Sequence, residues 1–307
     1  MIKAHFYVVA GCIVLAICSV ASAEPFAKGP YLGQTPPGPV ARIFAPGLIS
    51  DTQPHTSEAW GTFSADGNTF CFARRRGVFI TENTDQGWTA PKHIKTIPFM
   101  SACCCLSPDA NSVYFTYSYD PAKRYSLHRC TRTSQGWSLP HEVGPPLSTA
   151  RPFGGFSFSA DNTIYFTSDV THGGRLQRHY QYAPLVGDTW AQGIKIPLEQ
   201  GKLWCSHPGV APDESFMVFY SIKPGTQGGT PTDLYLTLRR PDGTWTQPRN
   251  MGPRVNSRRY YEWGASISPD KKYLFFNRTN GWGLNSSSDT GDIYWVELKE
   301  HLPESYR

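Results

Sequence analysis

Charge is scarce in this 307-residue chain: only 17% of residues are Asp, Glu, Lys or Arg, and the formal net charge is a mild +5. A nucleic-acid footprint needs a stronger basic excess, so composition implies no nucleic-acid partner. Long apolar runs are absent beyond the first two dozen residues, so no membrane span is expected in the remainder. Signature motifs are absent as well. The sequence holds no Gly-x-Ser-x-Gly elbow, no phosphate-binding loop, no His-Glu-x-x-His and no paired Cys-x-x-Cys. No metal-ligand spacing is recognisable, so neither a metal nor a cofactor is assigned. Core material, by contrast, is plentiful: 39% of residues are hydrophobic, with 17 Phe, 16 Tyr and 9 Trp. Those fractions exclude a disordered or low-complexity chain.

The first residues read as an address. Lys3 precedes an apolar run from Phe6 to Val20, and Ala21-Ser22-Ala23 supplies the small-x-small pattern of a signal-peptidase site. Residues 1–23 are therefore assigned as a signal peptide, with export to the periplasm or the extracellular space. A lipoprotein anchor at Cys12 fits less well, because the apolar run continues past that cysteine. Cleavage would leave six cysteines: Cys71, Cys103, Cys104, Cys105, Cys130 and Cys205. An exported chain permits disulfides, with Cys71 or Cys130 as partners. In a strand Cys104 points opposite to Cys103 and Cys105, so the three cannot converge as a chelate, and burial is their default.

A repeat organises the rest. Ser/Ala-x-Asp recurs with its aspartate at Asp66, Asp109, Asp161, Asp213 and Asp270, at spacings of 43, 52, 52 and 57 residues. A short β-like run follows each turn and leads into Phe72, Phe115, Phe166, Phe219 or Phe276. In phase with it, Trp88, Trp137 and Trp245 open Trp-x-x-Pro segments, and Trp190 opens a copy without proline. Ile94, Val143, Ile196 and Met251 stand six residues after each Trp. Each unit reads as four short strands, with the Asp in the first turn and the Trp segment on the outer strand. Four-stranded units of this length, arranged in a ring, are β-propeller blades.

Five Asp turns are followed by only four Trp segments. The missing outer strand is at the N-terminal end, around Ile43-Phe44-Ala45-Pro46 with Ile49 behind it. This strand completes the last blade, whose own run ends at Asp292-Ile293-Tyr294-Trp295, and the ring loses its open edges. The expected fold is all-β: a five-bladed β-propeller closed by an N-terminal strand. The expected layout is an arm at 24–40 and a single propeller domain at 41–300. Within it lie a closing strand at 41–50 and blades near 53–98, 99–147, 148–198, 199–254 and 255–300. A tail covers 301–307.

The Ser-Pro-Asp turn, the β-run into Phe, Asp-Ile-Tyr-Trp and Trp-x-x-Pro resemble the WD40-like, TolB-type β-propeller repeat. Gly29-Pro30-Tyr31-Leu32-Gly33-Gln34 is similar to the opening of exported bacterial members of that family. The resemblance covers roughly residues 29–300 and implies architecture more than activity. Its members serve as binding scaffolds, peptidase appendages and proteins of unknown role. Blade 1 keeps the family's Asp66-Gly67; the other blades carry Ala110, Asn162, Glu214 and Lys271 there, a drift among copies.

Propeller geometry directs attention to the mouth where the inner strands begin. Small residues are expected along those strands, at Gly61-Thr62, Cys104-Cys105, Pro208-Gly209 and Ala265-Ser266, with Phe156 as the exception. Six residues before the turns, blades 1 and 5 offer Glu58 and Glu262, neighbours in a closed ring. Arg151, His207, Arg258, Arg259, Tyr260, Tyr261 and His55 are close in the register. A carboxylate pair among such groups fits acid–base work on a glycosidic bond or a metal site. The competing reading is structural: each Glu hydrogen-bonds the adjacent blade.

Two functions follow. One is a ligand- or protein-binding module without catalytic machinery. The alternative is a carbohydrate-active enzyme, glycoside hydrolase or sialidase-like, using Glu58 and Glu262, although no complete Asp-box motif stands around Trp88. Loop cations including Arg74, Arg75, Arg76, Lys123, Arg124 and Arg278 outnumber the carboxylates on this face. The expected partner is accordingly an unknown protein or an anionic glycan, and the expected state is a monomer.

Overall fold

The computed structural model describes residues 26–51, 56–75, 77–98, 103–117, 126–147, 153–172, 175–198, 204–222, 232–281 and 290–307. At 153–154, 169–172, 175–178, 204–205 and 222 the description is of backbone alone. Five small antiparallel sheets make a five-bladed β-propeller, as the repeat predicts. The inner strands are Glu58–Phe63, Cys103–Leu106, Phe153–Phe158, Trp204–Val210 and Tyr261–Ile267. Each is followed by a second strand bearing the repeat's Phe: Thr69–Arg74, Ser112–Tyr117, Ile164–His172, Phe216–Ile222 and Tyr273–Thr279.

The turn between first and second strands is where the repeat signal originates. In blade 1 the Ser64 hydroxyl and the Asn68 N–H both donate to Asp66 Oδ1, at 2.5 and 2.9 Å. Blades 2 and 5 repeat the arrangement at Ser107/Asp109 and Ser268/Asp270. Such a side chain satisfies turn amides that no strand partner can reach. The residue after the Asp has a left-handed backbone in every blade: φ is 72° at Gly67, 59° at Ala110, 61° at Asn162, 61° at Glu214 and 60° at Lys271. The copies have lost the glycine but kept its conformation.

The closing strand is Arg42–Ile43, paired antiparallel with Gly291–Glu297 in the register Arg42↔Trp295 and Ile43↔Tyr294. Phe44 continues the seal, fully buried against Phe63, Phe70, Phe275 and Trp295. The preceding arm adds a second fastening. Pro30–Gly33 forms a left-handed turn, with φ 50° at Tyr31 and 55° at Leu32. The Tyr31 hydroxyl donates to Asp270 Oδ1 at 2.7 Å, and Trp88 Nε1 donates to the Gly29 carbonyl at 2.7 Å.

The Trp segments differ from expectation in one respect. Trp88 belongs to a two-residue pairing, Gly87–Trp88, that extends the third strand of blade 1, and the outermost strand is Lys92–His93. Blade 2 does the same with Gly136–Trp137 ahead of His141–Glu142. The proline of the segment breaks the chain between the two short pairings. Residues 301–307 are also more than a tail: Leu302 is buried, and the Tyr306 hydroxyl donates to the Arg239 carbonyl at 2.9 Å.

Small residues hold the inner strands together where they converge. A Cβ on Gly209 would lie 2.5 Å from the Ala265 carbonyl oxygen, and one on Gly61 2.7 Å from the Phe70 ring. Hydroxyls stitch neighbouring inner strands across the channel wall. The Leu106 N–H donates to Thr62 Oγ1, the Val210 N–H to Ser157 Oγ, and the Ser266 hydroxyl to the Gly61 carbonyl.

Candidate functional site

Four of the inner strands are irregular, that of blade 3 between Phe153 and Phe156 and the other three in the same place. Their pairing with the second strand slips between Ala59 and Thr62, between Ser206 and Gly209, and between Trp263 and Ser266. At each slip one residue takes a left-handed backbone: Trp60 at φ 61°, His207 at 53° and Gly264 at 65°. Such bulges re-aim side chains. Here they place Trp60, His207 and Trp263 together, with ring centroids 4.5 Å apart for Trp60–His207 and 4.7 Å for Trp60–Trp263. Blades 1 and 4 are not neighbours in a five-membered ring, so contact between Trp60 and His207 must cross the propeller axis. Blade 3 adds Gly155, where a Cβ would fall 1.7 Å from His207 Cδ2. The Tyr220 ring stacks on His207 at 5.3 Å. The axis is therefore plugged by an aromatic cluster, nearly buried at the two tryptophans and partly exposed at His207.

Left-handed backbone at a non-glycine residue costs about 1–2 kcal/mol. Two such residues in one cluster mark a place where the surrounding structure holds a strained arrangement, which is common at functional sites. Other bonds hold it in place. The Trp60 N–H donates to Asn277 Oδ1 at 3.0 Å, and Trp263 Nε1 donates to Thr279 Oγ1 at 3.1 Å.

Glu58 and Glu262 lie at the start of the strands that carry Trp60 and Trp263, yet both are 0% exposed. Arg74 Nε donates to Glu58 Oε1 at 3.0 Å, and the Asp51 N–H donates to Oε2 at 3.2 Å. Arg278 Nε donates to Glu262 Oε1 at 2.8 Å, joined there by the Ser257 N–H at 3.0 Å. Each arginine also reaches the incoming connection, Arg74 to the Ile49 carbonyl and Arg278 to the Val255 carbonyl, both at 2.6 Å. The two Glu–Arg pairs thus tie the chain arriving from the neighbouring blade to the inner strand. Burial pushes the Glu58 carboxyl up to about 7 and that of Glu262 up to about 8, against the downward pull of the arginines. Glu262 Oε2 is buried without a hydrogen-bond partner.

The other expected site residues are divided. Arg258, Arg259 and Tyr260 are exposed on the connection into blade 5, at the mouth where the inner strands start, and no carboxylate among the described residues pairs with either arginine. Tyr261 opens the strand and is half-buried. His207 lies in the aromatic cluster. Arg151, His55, Arg76, Lys123 and Arg124 lie outside the described residues. Arg74 and Arg278 are corrected from loop cations to strand residues spent in ion pairs, because each sits directly opposite its glutamate in the ladder. Sequence reasoning missed Trp60 and Trp263. Their signal was the Trp-Gly pair that follows closely on each glutamate, in Glu58-Ala59-Trp60-Gly61 and Glu262-Trp263-Gly264.

The cysteines form no disulfide among the described residues. Cys71, Cys103, Cys104, Cys105 and Cys130 are free and buried. Cys104 meets Cys71 of blade 1, whereas Cys103 lies against the Phe156 backbone of blade 3, the alternation a strand requires. Burial pushes the Cys103 thiol up to about 12. Among the described residues no group of His, Cys, Asp and Glu is arranged to hold a metal ion, and no helix is long and apolar enough to cross a membrane.

No family model matches this sequence, and no curated protein matches it. Solved structures do. A putative TolB from Agrobacterium tumefaciens is 15% identical over 75% of this chain and 71% of its own, with a TM-score of 0.45. A GH43 endo-arabinanase from Bacillus licheniformis is 11% identical over 81% of this chain and 96% of its own, with a TM-score of 0.49. The Swd1 β-propeller domain from Myceliophteria thermophila is 10% identical over 78% and 83%, with a TM-score of 0.42. The likeness is one of fold. Propellers of this kind include binding modules and enzymes, and activity has to be argued from this chain's own residues.

Proposed function

We propose that the protein is an exported binding module that receives a ligand at the mouth above the Trp60–His207–Trp263 cluster. The supporting observation is the cluster itself: aromatic rings from three blades, held at the axis by strained backbone, on the strands whose entry into blade 5 exposes Arg258, Arg259 and Tyr260. Aromatic faces with nearby unpaired guanidinium groups suit an anionic ligand, a uronate or sulfated glycan or an acidic protein segment. The catalytic candidates read from the sequence, Glu58 and Glu262, are bonded to arginines and closed to solvent.

One observation favours the alternative of a carbohydrate-active enzyme. Glu262 has an unpartnered oxygen and a carboxyl pushed up to about 8, as a general acid requires. Tryptophan fluorescence titrations with neutral, uronate and sulfated glycans, at two salt concentrations, test the binding reading. Acidic glycans bind, more weakly at high salt, and Arg258→Ala with Arg259→Ala removes the preference. Equal, salt-independent affinity for all three classes overturns the anionic ligand. Turnover of any of these glycans that Glu262→Gln abolishes overturns the binding-only reading.

A further inference from the structure

The opposite face, where the Ser/Ala-x-Asp turns emerge, carries two joined depressions. We propose that this face docks a basic peptide segment, seating one aliphatic side chain in an axial well and a cationic side chain in a groove beside Asp66. The well, about 110 Å³, is lined by one apolar residue from each blade: Phe63, Leu106, Phe158, Val210 and Ile267. The hydroxyls of Thr62, Ser157 and Ser266 in its wall are already bonded to backbone groups of neighbouring blades. The lining is mostly carbon, and each of these hydroxyls already holds one bond to backbone, which favours an apolar side chain.

The groove, about 460 Å³, shares Ala65 and Pro269 with the well and runs outward between blades 1 and 5 beneath the left-handed Tyr31 turn. Its walls are Pro30, Tyr31, Ala65 and Pro269, and Asp66, Asn68, Asn83 and Asp270 supply its polar groups. Lys272 stands 3.2 Å from Asp270, whereas Asp66 has no cation against it among the described residues. The Ser64 hydroxyl bond holds the Asp66 carboxyl below the usual range, so it is ionised at neutral pH. Across the five turns Asp66, Asp109, Asp161, Asp213, Glu214 and Asp270 stand against Lys271 and Lys272, with Arg239 paired to Glu214 and Arg132 bonded to the Ala110 carbonyl. The turns keep a carboxylate excess on a molecule of net positive charge, a sign that favours a basic partner over nucleic acid. An apolar well continuous with an acidic groove fits an extended chain with an aliphatic residue and a nearby Lys or Arg.

The test uses three fluorescein-labelled peptides: Gly-Leu-Gly-Arg-Gly, the same peptide with Glu for Arg, and the same with Ala for Leu. Fluorescence anisotropy is measured with the full-length protein, Asp66→Asn and Ile267→Gln. Asp66→Asn keeps the oxygen that accepts from the Ser64 hydroxyl and the Asn68 N–H and gives up only the exposed 3.4 Å bond from Asn68 Nδ2, and Ile267 is only half-buried, so both variants are expected to melt like the parent. If Ile267→Gln fails to fold, Asp66→Asn and the Ala peptide carry the test. The Leu–Arg peptide binds and weakens with salt. Asp66→Asn and the Ala peptide each reduce affinity about fivefold, the size of one exposed charge or small apolar contact. The Glu peptide does not bind. Absence of binding at millimolar peptide, equal binding of all three peptides, or affinity unchanged by both variants overturns the proposal. Binding abolished only by changes at Trp60 also overturns it, and moves the peptide to the opposite mouth.

Discussion

Trp60 and His207 touch across the propeller axis, with ring centroids 4.5 Å apart, although their blades are not neighbours. The contact depends on Gly155, because a side chain there would displace the imidazole. Gly155→Ala is expected to destabilise the protein by about 1–3 kcal/mol, the range for overpacking a filled core. Gly144→Ala, where a Cβ meets nothing within 4 Å, is the control and should be near neutral. Urea denaturation of both variants checks the pair.

The Glu262 carboxyl has a folded pKa of about 8, raised above its ordinary value. The folded state therefore binds this proton more tightly than the unfolded chain. Its contribution is fully present below the ordinary carboxylate range and is lost as pH rises toward 8. Glu58 adds a parallel effect up to about 7. The urea midpoint of the parent, measured relative to Glu262→Gln, should fall between about pH 5 and pH 8. A constant or rising difference would contradict the burial effect. Glu262→Ala, which removes the acceptor of the Arg278 and Ser257 hydrogen bonds, should cost about 1–3 kcal/mol.

At Ala110 the backbone is left-handed with φ 59°, a conformation that glycine adopts without a Cβ penalty. Ala110→Gly is expected to stabilise by up to about 1 kcal/mol after the entropy glycine adds to the unfolded chain. Gly67→Ala, the reciprocal change, should destabilise by a similar amount. Thermal melts of the two variants should move in opposite directions.

Cys71, Cys103, Cys104, Cys105 and Cys130 are sealed from solvent; burial raises the thiols of Cys103, Cys105 and Cys130, and the hydrogen bond with Cys71, followed by burial, raises that of Cys104. Thiolate, not thiol, is the reactive form. None of the five should react with a disulfide reagent under native conditions, and all five should react in urea. Mass-mapped labelling before and after denaturation checks this.

The ring was legible because its signals are local and periodic. Asp66 and its four relatives each close a turn within a few residues, and the hydrophobic register of Ile43 survives displacement to the other end of the chain. The site was less legible. The bulges at Trp60 and His207 leave no pattern of their own, since a slip of register depends on the partner strand. The two glutamates were visible as residue types, but their arginines stand sixteen positions away and look like loop cations until the ladder is drawn. The lost glycines at Ala110 and Lys271 suggested drift, whereas the backbone there has not drifted at all.

Closure by the N-terminal strand also imposes an order of assembly. Tyr31 and Asp270 are 239 positions apart, and the pairing of Ile43 with Tyr294 spans a similar stretch. Bringing such distant segments together costs about 5 kcal/mol of loop-closure entropy if the intervening chain is unstructured. Blades already folded shorten that path. The Arg42–Ile43 strand is thus the last to be paired, and blade 5 waits with an open edge until it arrives. A chain of this kind has high contact order and folds slowly. Its most vulnerable moment comes when four blades are complete and the ring is still unlocked.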